Sequence, residues 1–219
     1  MEGNLALESG ILAILLVLVR IFFLVHKVTT GHTKVWHKKR VNAAKTLVCI
    51  GSGGHTTEML CLMASLDFLK YSPRHYVMAR TDETSYLKVV AFENEKTKDA
   101  KDYFIRTIPR SRAVNQSYFS SIFTTIYSIL YCIPMMLRLR PDLILCNGPG
   151  TCIPICFIAF LLKAAFICDT KIVFVESFCR TQTFSLSGNI LIYIADNILV
   201  QWPPLKRKLK RADYIGQLL

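Results

Sequence analysis

Gly51-Ser52-Gly53-Gly54-His55-Thr56-Thr57-Glu58 is the stretch on which the reading of this chain turns. It follows an apolar run at 46–50 (Thr-Leu-Val-Cys-Ile) and opens a segment, 56–69, whose apolar residues recur at helical spacing. Strand, glycine turn and helix in that order form the first unit of an open α/β sheet. Glycines there let the backbone turn tightly and approach a ligand, and the helix start offers free N–H groups and a positive dipole end to a phosphate. Ser52, Gly53, Gly54 and Thr56 are therefore candidate phosphate-binding residues, and His55 is a candidate acid/base. The plainer readings are a structural turn with Thr56 or Thr57 at the cap, and a His55 that only caps the helix or touches phosphate. The stretch is not a full dinucleotide fingerprint. Its third glycine is Thr56, and Arg80 and Thr81 precede Asp82 where a ribose-binding acid would follow the second strand.

Downstream, the same alternation repeats. Strand candidates lie at 75–79, 103–108, 143–146, 171–175 and 197–200, with helix candidates at 83–95, 120–139, 152–166 and 188–195. Several strands are continuous apolar runs, as a parallel sheet covered on both faces requires, and the order reads as a Rossmann-like α/β unit. In such sheets the loops at the carboxyl ends of strands line the ligand crevice. A second glycine loop, Cys146-Asn147-Gly148-Pro149-Gly150-Thr151, ends the fourth strand and adds Asn147, Gly148 and Gly150 as candidate binding residues. The fifth strand ends Val175-Glu176-Ser177-Phe178-Cys179-Arg180. Glu176 is a second catalytic candidate, since burial would raise its pKa toward general-base use; the alternative is an ion pair, with Arg180. Arg180 is otherwise a binding candidate. Arg110 and Arg112, after the third strand, either contact an anion or sit on a solvated loop. The eight cysteines form no C-x-x-C pair and lie mostly in apolar runs, so they read as buried thiols; no metal site and no cofactor is expected.

The chain has 219 residues, 52% hydrophobic, with net charge +12 and mean hydropathy +0.35, which excludes disorder and points to a membrane segment. Net charge is +5 over 1–45, +3 over 46–200 and +4 over 201–219. A near-neutral centre excludes a basic nucleic-acid binder. Residues 5–25 are apolar apart from Glu8, Ser9 and Arg20, long enough for one membrane span. No basic residue precedes them and no A-x-A-like site follows, so the span is expected to stay uncleaved. The expected organisation is an anchor at 1–25, a basic juxtamembrane linker at 26–45 and a domain at 46–219. Glu2 and Glu8 before the span, against Lys27, Lys34, Lys38, Lys39, Arg40 and Lys45 after it, place that domain in the cytosol. Two further greasy segments, 122–137 and 152–168, either pack on the sheet or enter the bilayer. The basic run 206–211 faces headgroups or an acidic partner, or is merely solvated; with the apolar end 214–219 it is a candidate docking segment.

Six blocks occur in order: residues 51–58, Tyr71-Ser72-Pro73-Arg74-His75-Tyr76, Pro109-Arg110-Ser111-Arg112, residues 146–151, Val175-Glu176-Ser177 with Arg180, and Val200-Gln201-Trp202-Pro203. Together they resemble the asparagine-linked glycosylation protein fourteen family, membrane-anchoring subunits of a two-part UDP-N-acetylglucosamine transferase at the endoplasmic reticulum. The resemblance implies one Rossmann-like half of a GT-B glycosyltransferase, preceded by a single N-terminal transmembrane helix. It implies an acceptor-binding subunit that helps add the second GlcNAc to dolichyl-diphosphate-GlcNAc. Its partners would be a soluble catalytic subunit holding the donor, the lipid acceptor and the ER membrane, with no nucleic acid. The related bacterial enzyme that adds GlcNAc to the lipid II precursor carries a similar glycine loop; by that analogy Gly53, Gly54 and His55 lie near the acceptor diphosphate. The 174 residues of 46–219 suffice for one Rossmann half, so if the resemblance holds, the donor half is expected from another chain. Two rivals stand beside this: a pure membrane adaptor without a substrate site, and a dinucleotide-binding membrane oxidoreductase.

Overall fold

The computed structural model describes residues 2–32, 42–96, 102–112, 116–148 and 150–218. Lys34, Lys38, Lys39 and Arg40 of the expected basic linker, and Pro149 of the second glycine loop, lie outside the described residues.

The first strand, β1 (Thr46–Cys49), is buried along its length, as are its neighbours β2 (Arg74–Ala79) and β4 (Leu143–Asn147). Leu47 and Cys49 enter one core while Val48 and Ile50 enter the other, so both phases of the strand must be apolar. With β3 (Tyr103–Ile108), β5 (Lys171–Val175), β6 (Asn197–Val200) and β7 (Asp213–Tyr214), the order is β3-β2-β1-β4-β5-β6-β7, all parallel. The expected Rossmann-like α/β sheet is present. Its order reverses between β1 and β4, which opens a crevice at their carboxyl ends.

Seven helices accompany the strands among the described residues: α1 (Glu2–Thr29), α2 (Gly54–Ala64), α3 (Glu83–Lys96), α4 (Tyr118–Leu139), α5 (Cys152–Ala164), α6 (Leu186–Leu191) and α7 (Pro203–Lys208). Met59 and Met63 of α2 and Val89 of α3 pack beside Val48; Met136 of α4 and Ile155 of α5 pack on the other face. The helix expected over 56–69 instead stops at Ala64, where Ser65 bonds back to the Leu62 carbonyl and Asp67 accepts from the Leu69 N–H. These short polar side chains compete with the helix for backbone partners. The helix expected over 188–195 starts earlier, at Leu186, because the Ser185 hydroxyl caps it by accepting from the Gly188 N–H.

Both greasy segments are helices with one face packed in the core beneath the sheet, and Phe119–Leu139 is also long and apolar enough to cross a membrane. Ten of the thirteen residues of α5 are buried, including Lys163, which donates to both oxygens of Asp196 at 2.9 Å. In α4 one face, with Cys132, Met136 and Leu139, is buried, while Phe119, Ile122, Phe123, Ile126 and Leu130 stay exposed. The basic run is only partly solvated: Arg207, Lys208 and Lys210 are exposed, but several of its cations also bond the chain's own carbonyls. Lys206 donates to the carbonyls of Lys210 and Ala212, Lys208 to that of Gln182, and buried Arg211 to those of Ala195 and Ile192. These cations close the ends of the chain's own last elements. Helix α1 runs past residue 25; its stretch Leu7–Thr29 is long and apolar enough to cross a membrane, Leu24 is buried in the core that holds α5, and Val28 is buried as well.

Candidate functional site

Both glycine loops and the end of β5 meet at the crevice, around a cavity of about 670 Å³. Ser52, Gly54, His55, Gly148, Gly150 and Arg180, all expected there, line it. Two helix starts open onto it without a side-chain cap: α2, whose N-cap Gly53 has φ +64°, and α5, whose N-cap is Thr151. Elsewhere α4 and α6 are capped by Ser117 and Ser185. The uncapped ends leave backbone N–H groups available to an anion from two directions.

Arg110 and Arg112 also reach this cavity. Their loop is held by hydroxyls of α4: Thr124 bonds the Ser111 carbonyl at 2.6 Å and Ser128 the Pro109 carbonyl at 3.1 Å. The same hydroxyls that dilute the apolar character of α4 thus fix the loop that carries both arginines, and Arg112 Nε and Nη2 also donate to the Gln116 carbonyl. With Arg180 they make a three-arginine rim above the helix starts, an arrangement suited to phosphate oxygens.

His55 is the best-placed titratable group. Its Nδ1 lies 2.8 Å from Asn147 Oδ1 and 3.7 Å from Glu58 Oε2. Both neighbours are acceptors, so in the neutral ring Nδ1 carries the proton and Nε2 presents its lone pair, without a partner among the described residues. The Glu58 carboxylate raises the His55 pKa above 6.5 against the effect of burial, with help from Asn147. The ring rests on Gly148, which has φ +55°: a Cβ there would come within 2.6 Å of His55 Cε1. Only glycine fits the backbone and leaves room for the imidazole.

Glu58, within the quoted glycine motif but given no role from sequence, is the hub. It is 2% exposed and accepts from the Phe178 N–H at 2.6 Å, from Ser177 Oγ and from the Gln201 amide. Burial acts to raise its pKa, but His55, Asn147 and these donors outweigh it and hold the carboxyl below its ordinary range. Gln201 in turn accepts the Leu218 N–H at 3.0 Å, so the C-terminal segment is linked to the site through one side chain.

Other expected residues have different places. Glu176 forms no ion pair with Arg180. It is fully buried, does not line the cavity, and accepts from the Ser177 and Ser185 N–H groups and the Ser185 hydroxyl. Burial raises its pKa, as expected, but it is a brace between β5 and α6, out of a ligand's reach. Thr56 is buried too, bonding the Gly51 carbonyl and Ser85 Oγ, so it straps the loop instead of meeting phosphate. Asn147, 1% exposed, orients His55. Cys179 departs from the buried-thiol reading: it is exposed on the cavity wall. Asp82, at the place of a ribose-binding acid, accepts from Ser85 N and Oγ at the start of α3.

The family model for "Oligosaccharide biosynthesis protein Alg14 like" matches residues 46–218. The chain belongs to the Alg14 family. A rat relative, "UDP-N-acetylglucosamine transferase subunit ALG14", is 45% identical over 99% of this chain and 98% of its own. Relatives of the same name from Homo sapiens and Candida albicans are 49% and 41% identical, covering 79% and 94% of this Alg14-family chain and 82% and 92% of theirs. Among solved structures, that of Acinetobacter baumannii MurG is similar, with TM-score 0.52 at 15% identity, over 73% of this chain. The Alg14-family chain spans 42% of the length of that structure, as one Rossmann-like half would.

Proposed function

We propose that this chain is the acceptor-binding, membrane-anchoring subunit of a two-part UDP-GlcNAc transferase, adding the second GlcNAc to dolichyl-diphosphate-GlcNAc on the cytosolic face of the ER membrane. The observation that carries the reading is His55 Nε2, free and basic, in a cavity rimmed by Arg110, Arg112 and Arg180 and floored by two uncapped helix starts. The acceptor's diphosphate binds the arginines and the loops of Ser52, Gly53, Gly54, Gly148 and Gly150. The partner chain presents UDP-GlcNAc. His55 Nε2 takes the proton of the acceptor hydroxyl as its oxygen bonds to C1 of the donor sugar; the C1–O bond to UDP breaks with inversion, and UDP leaves on the partner. Helix α1 spans the bilayer, and residues 26–45 keep the domain at its surface. A dinucleotide oxidoreductase is not favoured, since Asp82 is engaged by Ser85 and the fingerprint is incomplete.

The test supplies UDP-GlcNAc and a dolichyl-diphosphate-GlcNAc analogue to membranes holding this chain, the donor subunit, or both. Disaccharide lipid is expected only with both chains. No product from a folded, associated pair would reject the transferase reading. His55→Ala should lower turnover by about 100-fold or more while the subunits still co-purify; normal turnover would remove His55 from any catalytic role.

A further inference from the structure

A second cavity, of about 140 Å³, lies where α1 meets the domain, among Arg20, Lys27, Lys163, Lys171, Asp169 and Asp196. We propose that this cavity binds the phosphate of an anionic membrane lipid, with Arg20 and Lys27 as its cationic grip. The proposal rests on the reading of α1 as a membrane span.

Charge is the first argument. Lys163 is committed to Asp196, whose second oxygen also accepts the Ile172 N–H, and Lys163 and Lys171 share Asp169 at 3.7 Å each. Arg20 and Lys27 have no carboxylate partner among the described residues, so the cavity carries two uncompensated positive charges. The Arg20 Nε is buried with no hydrogen-bond acceptor. An arginine cannot shed its proton to relieve that, and a buried donor without an acceptor is costly. The guanidinium is nevertheless held in place, 4.6 Å over the Phe166 ring and 5.9 Å from that of Phe23.

Depth is the second. Arg20 lies five residues, about 7.5 Å of helix, short of the domain-side end of the 5–25 span. One turn beyond Arg20 begins the buried part of α1, at Leu24 and Val28. A long arginine side chain at that position snorkels to the headgroups of the leaflet nearest the domain, and Lys27, exposed two turns on, lines the same cavity. Exposed Phe166 beside Arg20 adds an apolar ring where acyl chains meet headgroups. A phosphate there would supply the acceptor that Nε lacks and neutralise both free cations.

The experiment uses the full chain purified in neutral detergent, titrated with dioctanoyl phosphatidic acid, dioctanoylglycerol or inorganic phosphate, and read by thermal unfolding and by native mass spectrometry. Phosphatidic acid is expected to raise the melting temperature and remain bound, whereas dioctanoylglycerol should do neither. Arg20→Gln/Lys27→Gln should weaken phosphatidic acid about thirtyfold, while Lys70→Gln/Lys96→Gln, which removes equal charge elsewhere, should not. Lys27→Gln alone, at an exposed position, provides the same test where the double variant fails to fold. Equal effects of dioctanoylglycerol, or undiminished binding by the Lys27 and double variants, would overturn the site. Inorganic phosphate matching phosphatidic acid would overturn its lipid nature. Extraction of the chain from membranes by alkaline carbonate would instead break the anchor reading on which the proposal stands, and transferase activity enters none of these readouts.

Discussion

Two buried glutamates on neighbouring helices show how one kind of network serves two ends. On α3, Glu93 receives Arg74 Nε and Nη2 at 2.7 and 2.8 Å, with the Tyr76 hydroxyl as a third donor, and both charged side chains are sealed from solvent. On α2, Glu58 is as deeply buried and equally well supplied with donors, yet one of its neighbours, His55, keeps a third of its side chain exposed and a ring nitrogen turned to the cavity. The closed network can only hold β2 to α3. The open one can move a proton.

Breaking the closed network should have the larger effect on folding. Glu93→Ala leaves Arg74 buried without its counter-ion and should cost about 3–5 kcal/mol, seen in chemical denaturation or as loss of soluble folded chain. Arg74→Met/Glu93→Leu should recover much of that stability; failure to do so would mean the pair contributes more than charge balance. At the open network the larger loss should be in rate. Gly148→Ala pushes a Cβ into His55 and takes a non-glycine residue to φ +55°. Turnover should fall about 100-fold, with only about 1–2 kcal/mol lost in stability, and equal activity of the variant would show that the imidazole position is unimportant.

Next in size is a pH effect. Glu58 raises the His55 pKa, so the base form accumulates only as pH rises through a value above 6.5, and kcat/KM should climb over that range. For stability the sign is opposite: the His55–Glu58 pairing contributes fully below 6.5 and is lost as pH rises through the raised value. Glu58→Gln should move the acidic limb of the kcat/KM profile to lower pH, and an unmoved limb would separate Glu58 from His55. The smallest effect is expected at His75, buried and stacked on Phe104 with centroids 4.9 Å apart. Burial, then Arg106 and Lys45, push its pKa down to about 4. Its neutral form therefore stabilises the fold fully above 6.5, and that contribution is lost as pH falls toward about 4. His75→Phe should flatten the acid side of the stability profile, as thermal melts across that range would show.

The glycine loops, the six main strands and the parallel sheet were legible because they rest on local constraints: apolar runs of strand length, glycines at tight turns and helix patterns between them. The site was legible in its backbone and not in its side chains. Glu58 stood in the quoted motif, but its role depends on Phe178 and Gln201, 120 and 143 residues downstream. Thr56 read as a phosphate ligand because its burial depends on Ser85, on another helix. In the basic run at 206–211, the carbonyl contacts of Lys206 and Arg211 were not legible because their acceptors come from turns that form only in the fold.

Sequence alone determined that this chain is a strand–helix alternation with two phosphate-type loops at one sheet edge and an apolar helix long enough for a membrane, because periodicity and backbone freedom are properties of neighbours in the chain. Tertiary structure alone decided which carboxylate serves His55. Glu176 and Glu58 are the same residue type, each beside a strand end, and their difference lies in which distant N–H groups and amides surround them. Burial and pairing are sums over residues far apart in sequence, and they made one a brace and the other the partner of a histidine.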